Sequence, residues 1–322
     1  RGFLDGWDPE TGKHLWRRYT TAGPDDKGHN TWEPRDSHLH GGASTWITGS
    51  YDPELDLMYW GTGNAAPYNP DKRKGDNLYA ASVIAVRPKT GEIVWHYQFT
   101  PNDIYDWDAV WEIILADIQI DGKTRKVAMQ LNRNGFLYVL DRTNGKPVWP
   151  IEERPVAAST VPGEVTSPTQ PWPTKPAPYE RMGLTDDDLI DFTPQLRAEA
   201  ESLVSKHRIG PIYTPAVPFN PNGPISTLMV MGGSNWPGGA YERVIALLFY
   251  VTMASGIAGG HEVCLHAIPQ LVTESWGVNL QQTVIRVRNS WSASFALQGD
   301  FLIHASTLDF LTQFCDYKQF VL

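Results

Sequence analysis

The sequence has little cysteine, a deficit of positive charge and no apolar run of the usual membrane-spanning length. It has 27 Lys and Arg residues and 36 Asp and Glu residues, which gives a net charge of −9. This balance argues against a nucleic-acid partner, because phosphate binding needs a basic surface. The only two cysteines, Cys264 and Cys315, lack metal-ligand spacing. The apolar run 244–260 is shorter than the ~20 residues of a transmembrane helix, so we expect it to lie in a core and predict no membrane span.

What the sequence does contain is a repeated turn. The segments DPETGKHLW (8–16), RPKTGEIVW (87–95) and DRTNGKPVW (141–149) each place glycine fifth and tryptophan ninth. Apolar runs precede the second and third, which predicts strand, tight turn and strand, with glycine at positive φ. We expect each tryptophan to pack between neighbouring sheets. Such repeats indicate stacked sheets, in either a propeller or a solenoid.

The repeats divide the chain unevenly. Residues 150–225 are proline-rich and predict an extended, irregular insert containing one helix at about 194–208. Thr193 suits the N-cap of that helix, Pro194 its first position and Gly210 its end. We therefore predict a repeat domain over 1–256, and a divergent tail of unassigned structure over 257–322.

An acidic, aromatic loop, TPNDIYDWDAVWE, occupies residues 100–112. Only Trp107 separates Asp106 from Asp108. Carboxylates this close repel each other unless a positive group holds them. The loop therefore raises the question of which cation lies there.

The repeats, with YWGTGNAAPYNPDKRKGDNLY (59–79) and QLNRNGFLYVLDRTNG (130–145), resemble the pyrroloquinoline quinone (PQQ) dependent dehydrogenases. That family includes methanol, ethanol and membrane glucose dehydrogenases. The resemblance covers residues 1 to about 250. It implies an all-β chain forming about half the blades of an eight-bladed propeller, with PQQ in a central funnel on a metal ion.

The resemblance assigns three metal ligands. Asp106 matches the catalytic aspartate, which would act as general base and contact the metal. Asn64, in GTGN, matches the metal-binding asparagine. Asp108 matches an extra aspartate of the lanthanide-dependent branch, so the ion is Ca²⁺ or a lanthanide. The alternatives are a solvated loop carboxylate for Asp106, a left-handed turn residue for Asn64 and a loop cap for Asp108.

The resemblance also assigns the cofactor site. Trp46 matches the tryptophan on which PQQ stacks, and Ser44 or Thr45 would bind a PQQ carboxylate. Arg133 matches the basic residue beside the catalytic aspartate and the quinone oxygens. Asn235 and Trp236 lie where the family brings another strand toward the funnel. Without the cofactor, Trp46 would be a core residue and Arg133 an ordinary turn residue.

The chain departs from the family at its ends. The family's metal-binding glutamate and its adjacent cysteine pair would precede Arg1, and no signal peptide is present. Eight blades of ~50 residues need roughly twice this length. We therefore expect a fragment of a longer periplasmic protein, which could be inactive in isolation.

The resemblance implies PQQ-dependent oxidation of a small alcohol to an aldehyde, with electrons passing to a cytochrome c or a quinone. Two alternatives stay open. Residues 152–178 resemble an insert of the membrane glucose dehydrogenase branch, which favours a sugar or polyol substrate. The turn repeat alone would also suit a non-catalytic propeller scaffold.

Overall fold

The structure is a computed structural model that describes residues 1–229, 233–242, 247–253, 263–267, 284–288 and 300–304. Within these ranges it is built mainly of strands. They are β1 Phe3–Trp7, β2 His14–Tyr19, β3 Ser50–Asp52, β4 Leu57–Gly61, β5 Ser82–Val86, β6 Ile93–Gln98, β7 Ile114–Ile120, β8 Lys123–Leu131, β9 Leu137–Asp141, β10 Ile151–Pro155, β11 Thr169–Pro173, β12 Ser234–Glu242, β13 Leu247–Met253, β14 Val263–Ala267, β15 Val284–Arg288 and β16 Asp300–His304. The helix α1 spans Pro194–Val204, and short 3₁₀ turns lie at His29–Thr31, Arg35–His40, Pro70–Lys72 and Asp186–Asp188.

The strands form separate antiparallel sheets in which sequence neighbours pair. One four-stranded sheet has the order β3-β4-β5-β6, and three-stranded sheets are formed by β7-β8-β9 and β12-β13-β14. The pairs β1-β2, β10-β11 and β15-β16 form two-stranded sheets. This succession of up-and-down sheets is the arrangement of propeller blades.

Both faces of strand β5 are buried, because the β3–β6 sheet packs against neighbouring sheets on its two sides. All five residues of β5 are buried, and successive side chains of a strand point to opposite faces. Val83 joins the core shared with β7-β8-β9, whereas Ile84 joins a second core beneath β1. The β3–β6 sheet is therefore a blade between two neighbours.

The repeat tryptophans connect neighbouring sheets, as predicted. The Trp16 ring lies on Gly91 of the second repeat, where an added Cβ would overlap it, and its Nε1 donates to the Pro88 carbonyl oxygen at 2.9 Å. The Trp95 ring lies in the same way on Gly145 of the third repeat. Each of these tryptophans thus packs against the turn of the next repeat.

The insert is more regular than predicted, because residues 151–155 and 169–173 form the β10-β11 hairpin. The helix begins as expected, with Leu196 N–H donating to Thr193 Oγ1 at 3.2 Å. The predicted end near 208–210 is wrong, because α1 stops at Val204. Beyond it the backbone pairs with residues 225–228 instead, with the Arg208 carbonyl oxygen accepting from Leu228 N–H at 2.9 Å.

The apolar run 244–260 contains strand β13 in its described part. Across the described ranges, no helix combines the length and apolar character needed to cross a bilayer. Most of 257–322 lies outside the described residues, so the division at residue 256 stays a prediction.

Candidate functional site

The acidic loop connects β6 to β7, and its side chains alternate between the interior and the surface. Asp103, Tyr105 and Trp107 are buried, Asp106 is exposed and Asp108 is half-buried. The Tyr105 and Trp107 rings stack with centroids 4.7 Å apart. The burial of these two aromatic residues directs the intervening Asp106 outward.

Asp108 lies against the GTGN segment at the end of β4. Its Oδ1 accepts the backbone N–H of Asn64 at 2.8 Å. A Cβ added to Gly63 would lie 2.6 Å from the same oxygen, so only glycine allows this approach. Asn64 is half-buried and its φ is not in the left-handed region, which removes the turn interpretation for this residue.

Asp106, Asp108 and Arg133 form one electrostatic group. Burial raises the pKa of Asp108, the Asn64 N–H opposes this, and the neighbouring charge of Asp106 raises it further. The pKa of Arg133 is lowered by burial, against the attraction of both carboxylates. A cation between the carboxylates would favour their ionised forms.

Asp106 has a backbone conformation that is uncommon for a residue with a side chain. Its φ is +61°, in the left-handed region that aspartate tolerates better than most residues. Because the side chain is exposed, a substrate could reach its carboxylate.

Arg133 lies in the tight turn between β8 and β9. Its carbonyl oxygen accepts the N–H of Gly233 at 2.8 Å, which brings the start of β12 beside the turn. Its Nε is buried and has no hydrogen-bond partner among the described residues. A buried donor of this kind fits an acceptor supplied by a bound molecule.

Trp46 is half-exposed, with 51% of its surface accessible, so it is not a core residue. The buried Trp111 contacts it edge-to-face, with ring centroids 5.9 Å apart and planes at 84°. The Ser44 carbonyl oxygen accepts Gly63 N–H at 2.8 Å, which joins this segment to GTGN. The hydroxyl of Thr45 instead donates to the Phe3 carbonyl oxygen at 3.2 Å.

The remaining predicted residues lie on β12. Ser234 N–H donates to the Tyr179 hydroxyl at 2.9 Å, and Asn235 follows as a half-buried residue. The backbone of Trp236 belongs to the strand, but its side chain lies outside the described residues.

Three residues near the site were missed by the sequence interpretation. They are Asp103, whose carboxylate binds the loop backbone; Arg73, which is buried beside it; and Trp111, which supports Trp46. Asp103 carries a local signal, because aspartate often accepts a backbone N–H two residues later. Arg73 and Trp111 carry none, because the contacts that bring them to the site, with Asp103 and with Trp46, span 30 and 65 positions of the sequence.

The donor set is two carboxylates and one amide, all oxygen ligands of the kind that Ca²⁺ prefers. In the described part of the chain, no group of three or more His, Cys, Asp or Glu side chains is placed to hold a metal. A set of two carboxylates and one amide would need further oxygen ligands to complete the coordination of a hard cation.

Comparison with known proteins gives consistent matches. Residues 1–261 match the family described as PQQ: glucose/ethanol/alcohol dehydrogenase, β-propeller domain. The quinohemoprotein alcohol dehydrogenase ADH IIB of Pseudomonas putida is 48% identical over 159 residues, 45% of this chain and 23% of that protein. The lanthanide-dependent methanol dehydrogenase of Methylorubrum extorquens is 41% identical over 162 residues, 44% of this chain and 27% of that protein.

The fold is also similar to a solved structure. The quinohemoprotein alcohol dehydrogenase from Comamonas testosteroni superimposes with a TM-score of 0.52 and 29% identity, over 78% of this chain and 33% of that one. The family match and this superposition confirm the predicted partial propeller. The chain spans only about a quarter to a third of the length of the proteins described.

Proposed function

Because the chain belongs to the glucose/ethanol/alcohol dehydrogenase family of PQQ β-propeller domains, we propose that the full-length protein oxidises an alcohol to an aldehyde with PQQ. Its similarity to a quinohemoprotein alcohol dehydrogenase and to a lanthanide-dependent methanol dehydrogenase supports the reaction class. The single observation that carries the site assignment is the grouping of Asp106 and Asp108 beside Asn64 and Arg133.

In this proposal Asn64, Asp106 and Asp108 hold Ca²⁺ or a lanthanide ion. The pKa of Asp108 is raised by burial and by its like-charged neighbour, so a multivalent cation would remove an unfavourable interaction. The second carboxylate adds negative charge, which favours a trivalent ion over Ca²⁺. The similarity to a protein named a lanthanide-dependent methanol dehydrogenase supports this preference.

Asp106 acts as the general base. Its exposed carboxylate accepts the hydroxyl proton of the alcohol, which requires an ionised group within hydrogen-bond reach of the substrate. PQQ, when bound, supplies the two-electron acceptor for the hydride. Arg133, whose Nε has no hydrogen-bond partner in the described part of the chain, stabilises negative charge on a quinone oxygen.

Trp46 provides the stacking face for the flat cofactor. Its edge-to-face contact with Trp111 fixes the ring while leaving about half of its surface accessible. We assign the cofactor carboxylate to Ser44 in preference to Thr45, because the Thr45 hydroxyl already donates to Phe3. Asn235 and Trp236 complete the proposed cofactor contacts from β12.

A small alcohol is the proposed substrate, and a sugar or polyol is the second candidate. The observation that favours the second is the insert, which packs directly on the catalytic loop: the Tyr105 hydroxyl donates to the Tyr213 carbonyl oxygen at 3.0 Å. We further propose that the protein is periplasmic, and that its electron acceptor is a cytochrome c or a quinone.

The test uses the full-length protein reconstituted with PQQ and either Ca²⁺ or La³⁺, with dye reduction measured on alcohols and aldoses. Asp106→Asn should lower kcat by at least ~10²-fold, because general bases contribute about that much, while PQQ stays bound. Asp121→Asn is the matched control, since Asp121 is also exposed at positive φ (+51°) but lies in the β7–β8 turn.

Three outcomes are informative. Turnover that survives in Asp106→Asn contradicts the base assignment. Activity on aldoses but not on small alcohols shifts the substrate to the second candidate. A wild-type protein that binds neither PQQ nor metal is a scaffold, and the proposal fails.

A further inference from the structure

The Asp103 carboxylate holds the backbone on both sides of Asp106. Its Oδ1 accepts Tyr105 N–H at 2.9 Å, and its Oδ2 accepts Trp107 N–H at 2.9 Å. Both oxygens are therefore used by the two residues adjacent to Asp106. No other aspartate of the acidic loop makes this pair of bonds within the described structure.

This arrangement accounts for the conformation of Asp106. A left-handed residue at φ +61° costs about 1–2 kcal/mol relative to the right-handed region, so it persists only when its surroundings impose it. The two bonds fix the peptide N–H groups at 105 and 107, which leaves the backbone between them little freedom. The Asp106 side chain is thereby held on the exposed side of the loop, where its charge acts on Asp108 and Arg133.

Asp103 is itself anchored. It is 2% exposed, and the buried Arg73 donates from Nη2 to the Asp103 carbonyl oxygen at 2.6 Å. The same guanidinium donates to the Pro67 carbonyl oxygen at 2.8 Å and to Asn77 Oδ1 at 2.9 Å. Arg73 thus ties Asp103 to the segment that follows GTGN.

Burial of this carboxylate has a free-energy cost. Burial raises the pKa of Asp103 to about 6, despite the opposing effect of the Tyr105 and Trp107 N–H bonds and of the Arg73 charge. An asparagine would be neutral at this position. It could accept only one of the two N–H groups, because its amide nitrogen would face the other donor.

We propose that Asp103 is a positioning residue, whose carboxylate sets the orientation of Asp106 at the metal and toward substrate. This inference rests on the proposed function of Asp106. It extends that function to a residue that need not touch substrate, cofactor or metal.

The insert supports the same segment from the opposite side. Tyr105 is bonded through its hydroxyl to the Tyr213 carbonyl oxygen, and the Trp107 ring lies 5.1 Å from the Tyr213 ring. The two residues that bracket Asp106 are therefore held by Asp103 through their backbone and by the insert through their side chains. Neither contact restrains the Asp106 side chain directly, so its direction depends on the backbone.

The experiment compares Asp103→Asn with wild type in the full-length protein. We expect kcat to fall ~10–100-fold, as for residues that orient metal ligands, with KM changed by less than about threefold. Terbium(III) affinity, followed by sensitised luminescence without PQQ or substrate, should fall ~10-fold. Asp8→Asn is the control for the same change of charge in an exposed turn, where one oxygen, Asp8 Oδ1, accepts both backbone N–H groups and an amide oxygen can keep them. It should change neither quantity.

A second measurement needs no variant. In wild-type protein, the amides of Tyr105 and Trp107 should exchange hydrogen at least ~100-fold more slowly than those of Glu10 and Thr11, which bond to the exposed Asp8. Equal exchange rates overturn the inference, as do an unchanged kcat and terbium affinity in folded Asp103→Asn.

The inference and the proposed function fail separately. If Asp106→Asn is inactive while Asp103→Asn behaves as wild type, only the positioning role of Asp103 is wrong. If Asp106→Asn keeps its turnover, the proposed base is wrong. The terbium and exchange measurements then decide whether Asp103 orients the loop.

Discussion

In the Asp8 turn and in the Asp103 loop an aspartate accepts two backbone N–H groups, but the surroundings are opposite. The Asp8 carboxylate accepts the N–H groups of Glu10 and Thr11 at 3.0 and 2.8 Å, and Asp103 accepts those of Tyr105 and Trp107. The bond to Thr11 lowers the pKa of the exposed Asp8, whereas burial raises that of Asp103. Asp8 accepts both groups at one oxygen in an exposed turn, whereas buried Asp103 uses both oxygens and so constrains the backbone on either side of Asp106.

Two of the repeat turns also differ in their surroundings. Gly12 at φ +68° and Gly145 at φ +75° occupy equivalent turn positions. Nothing lies within 4 Å of a Cβ added at Gly12, whereas at Gly145 that atom would be 2.5 Å from the Trp95 ring. The Gly12 turn tolerates a side chain sterically, and the Gly145 turn does not.

The largest expected effect is a difference in stability between alanine variants of these two turns. Gly145→Ala should lower the free energy of unfolding by about 2–5 kcal/mol, combining a left-handed alanine at about 1–2 with overpacking against Trp95 at about 1–3. Gly12→Ala should lose only the first contribution. Urea denaturation of both variants measures the difference, and equal losses would show that Trp95 yields to the added methyl group.

A smaller effect, on the pH dependence of stability, distinguishes Asp103 from Asp8. The pKa of the Asp103 carboxyl is about 6 in the folded protein, against the ordinary value of 3.8 expected in the unfolded chain. Folding therefore favours its protonated form. The contribution of the protonated Asp103 carboxyl to folding stability is complete below about pH 4 and is lost as the pH rises through about 6. Relative to Asp103→Asn, metal-free wild-type protein should therefore lose roughly 3 kcal/mol between pH 4 and 7.

The exposed turn should respond in the opposite direction. The pKa of Asp8 is lowered by its N–H bonds, so folding favours the ionised form and stability relative to Asp8→Asn rises with pH. Urea titrations at several pH values measure both differences. A flat profile for Asp103 would mean that water reaches its carboxylate.

The sequence was informative where the signal was local or periodic. The glycine and tryptophan spacing predicted the hairpins and the packing of Trp16 and Trp95, because strand geometry repeats at a fixed period. The Thr193 cap was predictable because an N-cap bonds to a backbone N–H only three residues further along the chain. The end of α1 was not, because the chain leaves the helix to pair with residues 225–228, far along the sequence.

The candidate site was only partly predictable. The family resemblance selected Asn64, Asp106 and Asp108, and the structure adds the bond from Asn64 N–H to Asp108. The support of Trp46 by Trp111 could not be read from the sequence, because 65 positions separate the two rings in a chain with 13 tryptophans. Such contacts depend on how the sheets pack.

The central claim is that Asn64, Asp106 and Asp108 share one multivalent cation. Calorimetric titration of the full-length protein with La³⁺ and with Ca²⁺ tests it most directly, comparing wild type, Asp108→Ala and the turn variant Asp121→Ala. We predict that Asp108→Ala lowers La³⁺ affinity at least ~10-fold and Ca²⁺ affinity less, while Asp121→Ala changes neither. Unchanged La³⁺ affinity in folded Asp108→Ala, or a wild-type protein that binds neither ion, would contradict the account.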